Sequence, residues 1–462
     1  MPTLFWTDGL FFLLLIIGVA MVVRMARREH LRRPWRKVAR SRSAMVSAVL
    51  LLCYLAIAVL DSIHFYPREG TEGAQFRTEA LSLLDWWATP LRTRVEKTYS
   101  APFAAYAYSK ENVPGVDGAP HWDYPRLLYG GAHLADPERD QRGDILITGS
   151  VGLAEGLACW GLVVVMMGAI RSRSRSLRLA EALRDMLEGR TELPWQAVLL
   201  TLLLLCLAAF SLGELSLKYH VLGTDKVGED VFFQSLKSVR TGLLIGTLTT
   251  FITLPLALAL GILAGYFRGW VDDVIQYVYT TLNSIPGVLL IAAAILLMQA
   301  HMARHEEEFA SLALRADFRL LFLCMILGMT SWTGLCRLLR AETLKLREME
   351  YVQAARALGV GQGMILMRHI LPNVFHLVLI SVVLDFSSLV LAEAVLSYVN
   401  IGVDPTTESW GNMINSARLE MARDPLVWWS LAAAFVFMFA LVLAANLFAD
   451  AVRDAFDPRR AE

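Results

Sequence analysis

Nine continuous apolar runs constrain this chain more than any other feature of its sequence. They lie at about 5–23, 44–61, 147–170, 195–213, 241–266, 284–300, 319–336, 376–398 and 427–448. A run of about 20 apolar residues is what a helix needs to cross a hydrocarbon core, where each backbone N–H and C=O must find its partner inside the segment. The runs do not alternate apolar with polar, so they do not read as strands of a lipid-facing barrel. The expected fold class is an all-α integral membrane protein. A hydrophobic content of 56% and a mean hydropathy of +0.48 agree with it. Cys53, Cys159, Cys206, Cys324 and Cys336 sit in or beside the runs with no CxxC pair. They read as small buried apolar residues, not as disulfides or metal ligands.

The formal net charge of zero hides a block structure. Arg24, Arg27, Arg28, Arg32, Arg33, Arg36, Lys37, Arg40 and Arg42 follow the first run, and Arg171, Arg173, Arg175, Arg178, Arg184 and Arg190 follow the third. Lysine and arginine resist translocation, so both blocks are expected in the cytoplasm. That is a membrane pattern and not a nucleic-acid footprint. The N-terminus is then outside, residues 62–146 are external, and 337–375 and the C-terminal tail are cytoplasmic. The loop 267–283 is the least typical inner loop, with Arg268 as its sole base. Charges follow the first run instead of preceding it, which favours an uncleaved anchor over a signal peptide.

The external stretch carries Gly70, Gly73, Pro114, Gly115, Gly118, Pro120, Gly130 and Gly131 as turn signals, and residues 76–98 read as one or two amphipathic helices broken at Pro90. The expected organisation is an outside-in anchor with a basic segment (1–43), a first core span (44–61), an external insertion (62–146), two extra spans with a basic loop (147–213) and a core (220–458). An even number of extra crossings leaves the core topology intact, so the insertion is expected at the periphery of any conduction path. Its Trp86, Trp87, Tyr106, Tyr108, Trp122 and Tyr124 offer contact area for a protein partner or for lipid headgroups.

The stretch 347–373, REMEYVQAARALGVGQGMILMRHILPN, falls between two spans. Tyr351, Ala354, Ala355 and Leu358 share a helical stripe, and Gly359 can end that helix with a positive φ. A second short helix follows through Met364, Ile365 and Met367, and Pro372 punctuates the approach to the next span. Such a pair of helices reads as a docking element.

This stretch resembles the EAA loop of ABC importer permeases, on Gln353, Ala354, Ala355, Gly359, Ile370, Leu371 and Pro372. Gln353 stands where the family pattern has Glu. The HILPN ending is similar to the dipeptide/oligopeptide branch. LGTDKVGEDVFF resembles that branch's external segment through Leu222, Gly223, Thr224, Asp225, Gly228 and Asp230, with Glu229 in place of a usual Arg. LAGYFRGWVDD, EAVLSYVNIGV, SWGNMI and VRDAFDP are further similar segments within 220–458. The resemblance implies a type I importer permease core of about six helices, here with about three extra N-terminal ones. It also implies a separate ABC ATPase, a second homologous permease and a periplasmic substrate-binding protein as partners, a bacterial inner-membrane location, and peptides or similar small solutes as cargo. No cofactor is expected on this chain, and GVGQG at 359–363 lacks the Lys-Ser/Thr of a P-loop.

Ionisable residues inside spans are expensive and mark either pathways or interhelical bonds. Asp385, Ser387, Ser388 and Glu393 are the pathway candidates, weighed against a purely structural role, and Glu155 reads as structural. Trp332 and Trp410 suit interfacial belts. His301 and His305 with Glu306, Glu307 and Glu308 have helical metal-ligand spacing, but a solvated turn explains them as well. A membrane enzyme would need an external cluster such as His64, His121, Asp123, His133, Asp136 and Asp140, whose spacing matches no template, so no catalytic residue is assigned. A non-transporting scaffold is the other alternative, with Gln353 and Glu229 as its hints.

Overall fold

The structure, a computed structural model, describes residues 2–27, 29–67, 80–114, 120–305, 307, 309 and 311–456. Gly70, Gly73, Gly115, Gly118, Glu306, Glu308 and the end of VRDAFDP lie outside them. The helices are α1 (Trp6–Ala26), α2 (Glu29–Arg40), α3 (Arg42–Ser62), α4 (Leu83–Trp87), α5 (Thr89–Thr93), α6 (Pro137–Arg175), α7 (Leu179–Leu187), α8 (Trp195–Ser216) and α9 (Val231–Phe267). They continue with α10 (Trp270–Ser284), α11 (Gly287–Arg304), α12 (Leu312–Arg347), α13 (Glu350–Ala357), α14 (Gln362–Ile365), α15 (Leu371–Tyr398), α16 (Trp410–Glu420) and α17 (Trp429–Phe456). Eight helices among the described residues are long and apolar enough to cross a membrane. The remaining expected span, 319–336, lies inside α12.

The chain forms two compact units. The first holds Trp35–Arg240 and Glu408–Ala451. In it α6 and α8 pack along each other, α8 also meets α3, and the Tyr54 hydroxyl of α3 donates to the Phe437 carbonyl of α17 at 2.8 Å. Between α3 and α6 the described residues form short pieces. Ser82 caps α4 through a reciprocal bond with Asp85, and Pro90 opens α5 rather than breaking a longer helix. An antiparallel pair, Glu111–Pro114 with Pro120–Asp123, is a strand element that the sequence reading did not anticipate.

The second unit holds Thr3–Pro34 and Thr241–Thr407. Its core gathers Ile262, Tyr266, Leu335, Leu339, Val352, Ile365, Ile370 and Val374, so the stretch 347–373 packs directly on the long helices α9 and α12. Gly261 and Gly265 let α9 approach α12: a Cβ on Gly261 would lie 2.8 Å from the Cys336 carbonyl, and one on Gly265 2.7 Å from that of Arg340. The segment 267–283 is not an open loop. Its acids open α10, and Asp272 takes both hydrogen bonds of the Arg340 guanidinium at 2.6 Å.

Candidate functional site

The helix pair at 347–373 is present and its turn is a Schellman closure. Gly359, at φ +76°, donates to the Arg356 carbonyl, and Val360 donates to that of Ala355, so two end carbonyls of α13 are satisfied. No heavy atom lies within 4 Å of a Cβ built on Gly359, so backbone conformation rather than space explains the glycine. α13 turns Val352 and Ala355 into the core and leaves Tyr351, Gln353, Ala354 and Leu358 outward. Ala355 therefore does not belong to the contact stripe on which the sequence reading set it. The outward face continues on the next helical segment through Met364 and Met367, while Ile365 and Ile370 are fully buried. Leu358 is 83% exposed and Met367 68%, an apolar row that a monomeric water-facing surface does not ordinarily leave open.

Polar contacts hold this element to its own unit. Arg347 donates to the Tyr266 carbonyl at 2.8 Å, Arg356 lies 5.5 Å from the Tyr266 ring, and Asn373 donates to the Tyr351 hydroxyl at 3.1 Å. Gln353 donates to the Glu348 carbonyl of its own chain at 3.1 Å, so its amide has a local role. Between α14 and α15, Leu366–Ile370 forms a π turn in which Leu371 N–H reaches the Leu366 carbonyl. Pro372 follows in the first turn of α15. Proline brings no N–H and crowds the carbonyl four residues back, and the wider turn before it relieves that crowding.

The four pathway candidates separate. Asp385 and Ser388 line a recess with Thr250, Thr253, Ser331 and Val382. Among the described residues the Asp385 carboxylate has no partner, while Ser388 Oγ donates to the Asp385 carbonyl at 2.8 Å. Glu393 is buried away from the recess and accepts from Ser397 Oγ at 2.7 Å, and Ser387 is buried as well. Glu393 thus bonds within its own helix, while Asp385 faces the recess. Glu155, expected to bond helices together, instead lies exposed on α6 without a hydrogen bond among the described residues. Trp332 and Trp410 are not belt residues: both are buried, and Trp410 Nε1 donates to the Ser235 carbonyl at 3.2 Å. His305 Nδ1 hydrogen-bonds to the His301 carbonyl at 2.9 Å, and the two rings lie 4.3 Å apart.

The LGTD segment is a structural clamp. Asp225 Oδ1 accepts from the N–H groups of Val227 and Glu229, closing a turn, and Asp230 Oδ1 accepts from Phe232 and Phe233, capping α9. Thr224 Oγ1 donates to the Thr98 carbonyl and accepts from Ser100 N–H, and the Thr224 carbonyl accepts from Trp429 Nε1. Gly223 and Gly228 have positive φ, and Leu222 is half-buried. Residues 96–100 of the insertion thus line the inside of the segment.

The sequence reading missed the centre of this clamp, His220 and Glu96. Glu96 Oε1 and Oε2 accept from the N–H groups of Leu128, Tyr129 and Gly130, His220 Nδ1 lies 2.7 Å from Asp230 Oδ2, and His220 Nε2 lies 3.5 Å from Glu96 Oε1. The last is an ion-pair contact without hydrogen-bond alignment. Burial works against charge on both groups. The two carboxylates outweigh it at His220, which is pushed up to about 9, and the donors around Glu96 hold its carboxyl at about 2. Of the remaining candidates among the described residues, His133 pairs with Asp144, which also accepts from Lys218 and Tyr219.

Long apolar helices, two of them joined by a helix pair with an outward apolar face, define a helical membrane protein. The chain belongs to the binding-protein-dependent transport system inner membrane component family, whose profile matches residues 257–462. A glutathione transport system permease protein of Pectobacterium atrosepticum is 32% identical over 242 residues, 52% of this chain and 73% of that one. An oligopeptide transport system permease protein of Mycobacterium tuberculosis is 31% identical over 239 residues, 52% of this chain and 76% of that one. A dipeptide transport system permease protein of Lactococcus lactis is 29% identical over 243 residues, 53% and 65% of the two chains. The protein is thus an all-α, multi-pass membrane permease of the ABC importer class.

Proposed function

We propose that this permease passes peptides or chemically similar small solutes, driven by a separate ATPase that grips residues 347–373. The observation that carries the reading is the apolar row Tyr351, Leu358, Met364 and Met367, each outward on an element whose opposite side is locked into the membrane core. A partner seated on that row moves the spanning helices through buried contacts. Asp385 and its hydroxyl-lined recess supply a polar stopping point inside the helices, where an unpaired carboxylate is otherwise costly. A second homologous permease completes the pathway, and a periplasmic binding protein delivers the solute. The N-terminus and residues 62–146 face the periplasm, and the C-terminus and the 171–194 segment face the cytoplasm, as arginine distribution favours.

Co-purification and ATPase stimulation test the docking. Gly359→Val forces a β-branched residue into positive φ and is expected to reduce both; unchanged coupling would remove 347–373 as the site. Single cysteines at Lys110 and Ala180, in a background lacking the native five, test orientation with an impermeant thiol reagent. Labelling at 180 but not 110 in intact spheroplasts reverses the proposed topology.

A further inference from the structure

A second cavity lies far in sequence from the docking element, where α2 hands over to α3 and the α7–α8 connection enters α8. Arg40, Arg42, Glu192, Trp195 and Gln196 line it, and Ala197 and Leu200 extend it down the first turns of α8. Arg40 is committed to Glu192 at 3.0 Å, and the Gln196 amide to the Leu187 carbonyl at 2.9 Å. Two donors are left over. Among the described residues the Arg42 guanidinium makes no ion pair or hydrogen bond, and the Trp195 indole N–H is shut off from water with no acceptor. Both α3 and α8 are spanning helices that start at this cavity, so it sits at the level where headgroups meet hydrocarbon. Leu200 is 57% exposed below it.

We propose that this cavity binds the phosphate of one anionic phospholipid, with Arg42 donating to a phosphate oxygen, a small turn of the Trp195 ring bringing its enclosed Nε1–H to a second, and the lipid chain lying along Leu200. An anion is called for because both groups without a protein partner are donors and one is a cation. A lipid rather than a free phosphate is called for because the cationic rim continues into an exposed apolar wall, which an inorganic ion leaves uncovered. The proposed topology enters only in assigning the site to the inner leaflet, and binding itself is independent of it.

The full chain, purified in neutral detergent and stripped of lipid, is titrated with phosphatidylglycerol or phosphatidylcholine of identical acyl chains, and occupancy is read by native mass spectrometry. The expected result is preferential retention of one phosphatidylglycerol. Apparent affinity falls about 5-fold or more in Arg42→Ala and less in Arg42→Lys and Trp195→Phe, each keeping the wild-type melting temperature. Arg184→Ala, which removes an exposed basic side chain outside the cavity, leaves binding unchanged. Equal retention of the two lipids, or an equal loss in Arg184→Ala, overturns the site. Displacement of the lipid by millimolar inorganic phosphate overturns the choice of lipid. If Arg42→Ala fails to fold, an unchanged affinity in Trp195→Phe overturns the assignment by itself.

Discussion

A Cβ on Gly228 would fall 1.9 Å from the backbone carbonyl oxygen of Glu96. The stretch 96–100 and the LGTD segment are therefore fitted to each other at atomic contact. The Glu96 N–H donates to the Gly228 carbonyl at 2.9 Å, and the Glu96 carboxylate faces His220 on the same segment. A deletion of residues 66–142 would take away Glu96, Thr98 and Ser100 together. A deletion that spares the core must keep 96–100.

Gly228 and Gly359 share a positive φ but not a neighbourhood. Gly228→Ala adds a steric overlap to the backbone strain and is expected to cost roughly 2–4 kcal/mol. Gly359→Ala meets open space and is expected to cost about 1 kcal/mol. Melting temperature and limited proteolysis of the purified chain check the pair. Equal losses would contradict the difference in packing.

The His220–Glu96 contact makes stability depend on pH in a definite direction. His220 is held at about 9 against an ordinary 6.5, so its contribution is complete below 6.5 and is lost as pH rises through 9. Glu96 is held at about 2 against 4.5, so its contribution is present above 4.5 and is lost as pH falls through 2. The melting temperature is expected to be highest between these ordinary values and to decline on the alkaline side. His220→Gln should flatten that decline. A wild-type profile level from pH 6 to 9 would count against the buried ion pair.

Asp385 and Glu393 should behave oppositely. Asp385→Asn removes a carboxylate that bonds to nothing among the described residues, so the melting temperature should hold or rise while uptake in proteoliposomes falls. Glu393→Ala leaves Ser397 without its buried acceptor and should cost about 1–3 kcal/mol. Normal uptake by Asp385→Asn would exclude the recess from the pathway.

A double-mutant cycle separates two ion pairs of the second unit. Arg340 and Asp272 meet through two bonds of 2.6 Å at a largely buried carboxylate, whereas Arg268 and Glu348 meet at 3.0 Å in the open. The first coupling should exceed about 1 kcal/mol and the second should fall within about 0.5 kcal/mol of zero. Coupling energies in the reverse order would show that the geometry does not govern them.

Much of this was legible from period and punctuation. Continuous apolar runs marked α1, α3 and α8 to within a few residues, whereas α6, α9, α12 and α17 run well past theirs because their polar ends carry no apolar signal, and Gly359 and Pro372 marked the turn and the helix entry they occupy. What the sequence hid was direction. Ala355 and Ala354 are adjacent and identical, and only the packing of α13 decides that one is core and the other surface. Charge had the same limit: Glu393 and Asp385 are both acids in one helix with a serine one turn on, and only the structure shows that Ser397 donates to the Glu393 carboxylate whereas Ser388 donates to the Asp385 backbone carbonyl. His220 and Glu96 are more than a hundred residues apart, and no local pattern in either stretch points to the other.

The π turn at Leu366–Ile370 sets the phase of everything after it. It carries one residue more than an α-helical path of the same length, so each side chain beyond it is turned by about 100° relative to an uninterrupted helix. The recess therefore receives Asp385 because of an extra residue some fifteen positions upstream. Removing that residue would leave composition and hydropathy almost untouched while swinging the carboxylate to another side of α15. In this helix a length change of one is a rotation, and the proposed docking element and the recess are kept in step by a miscount.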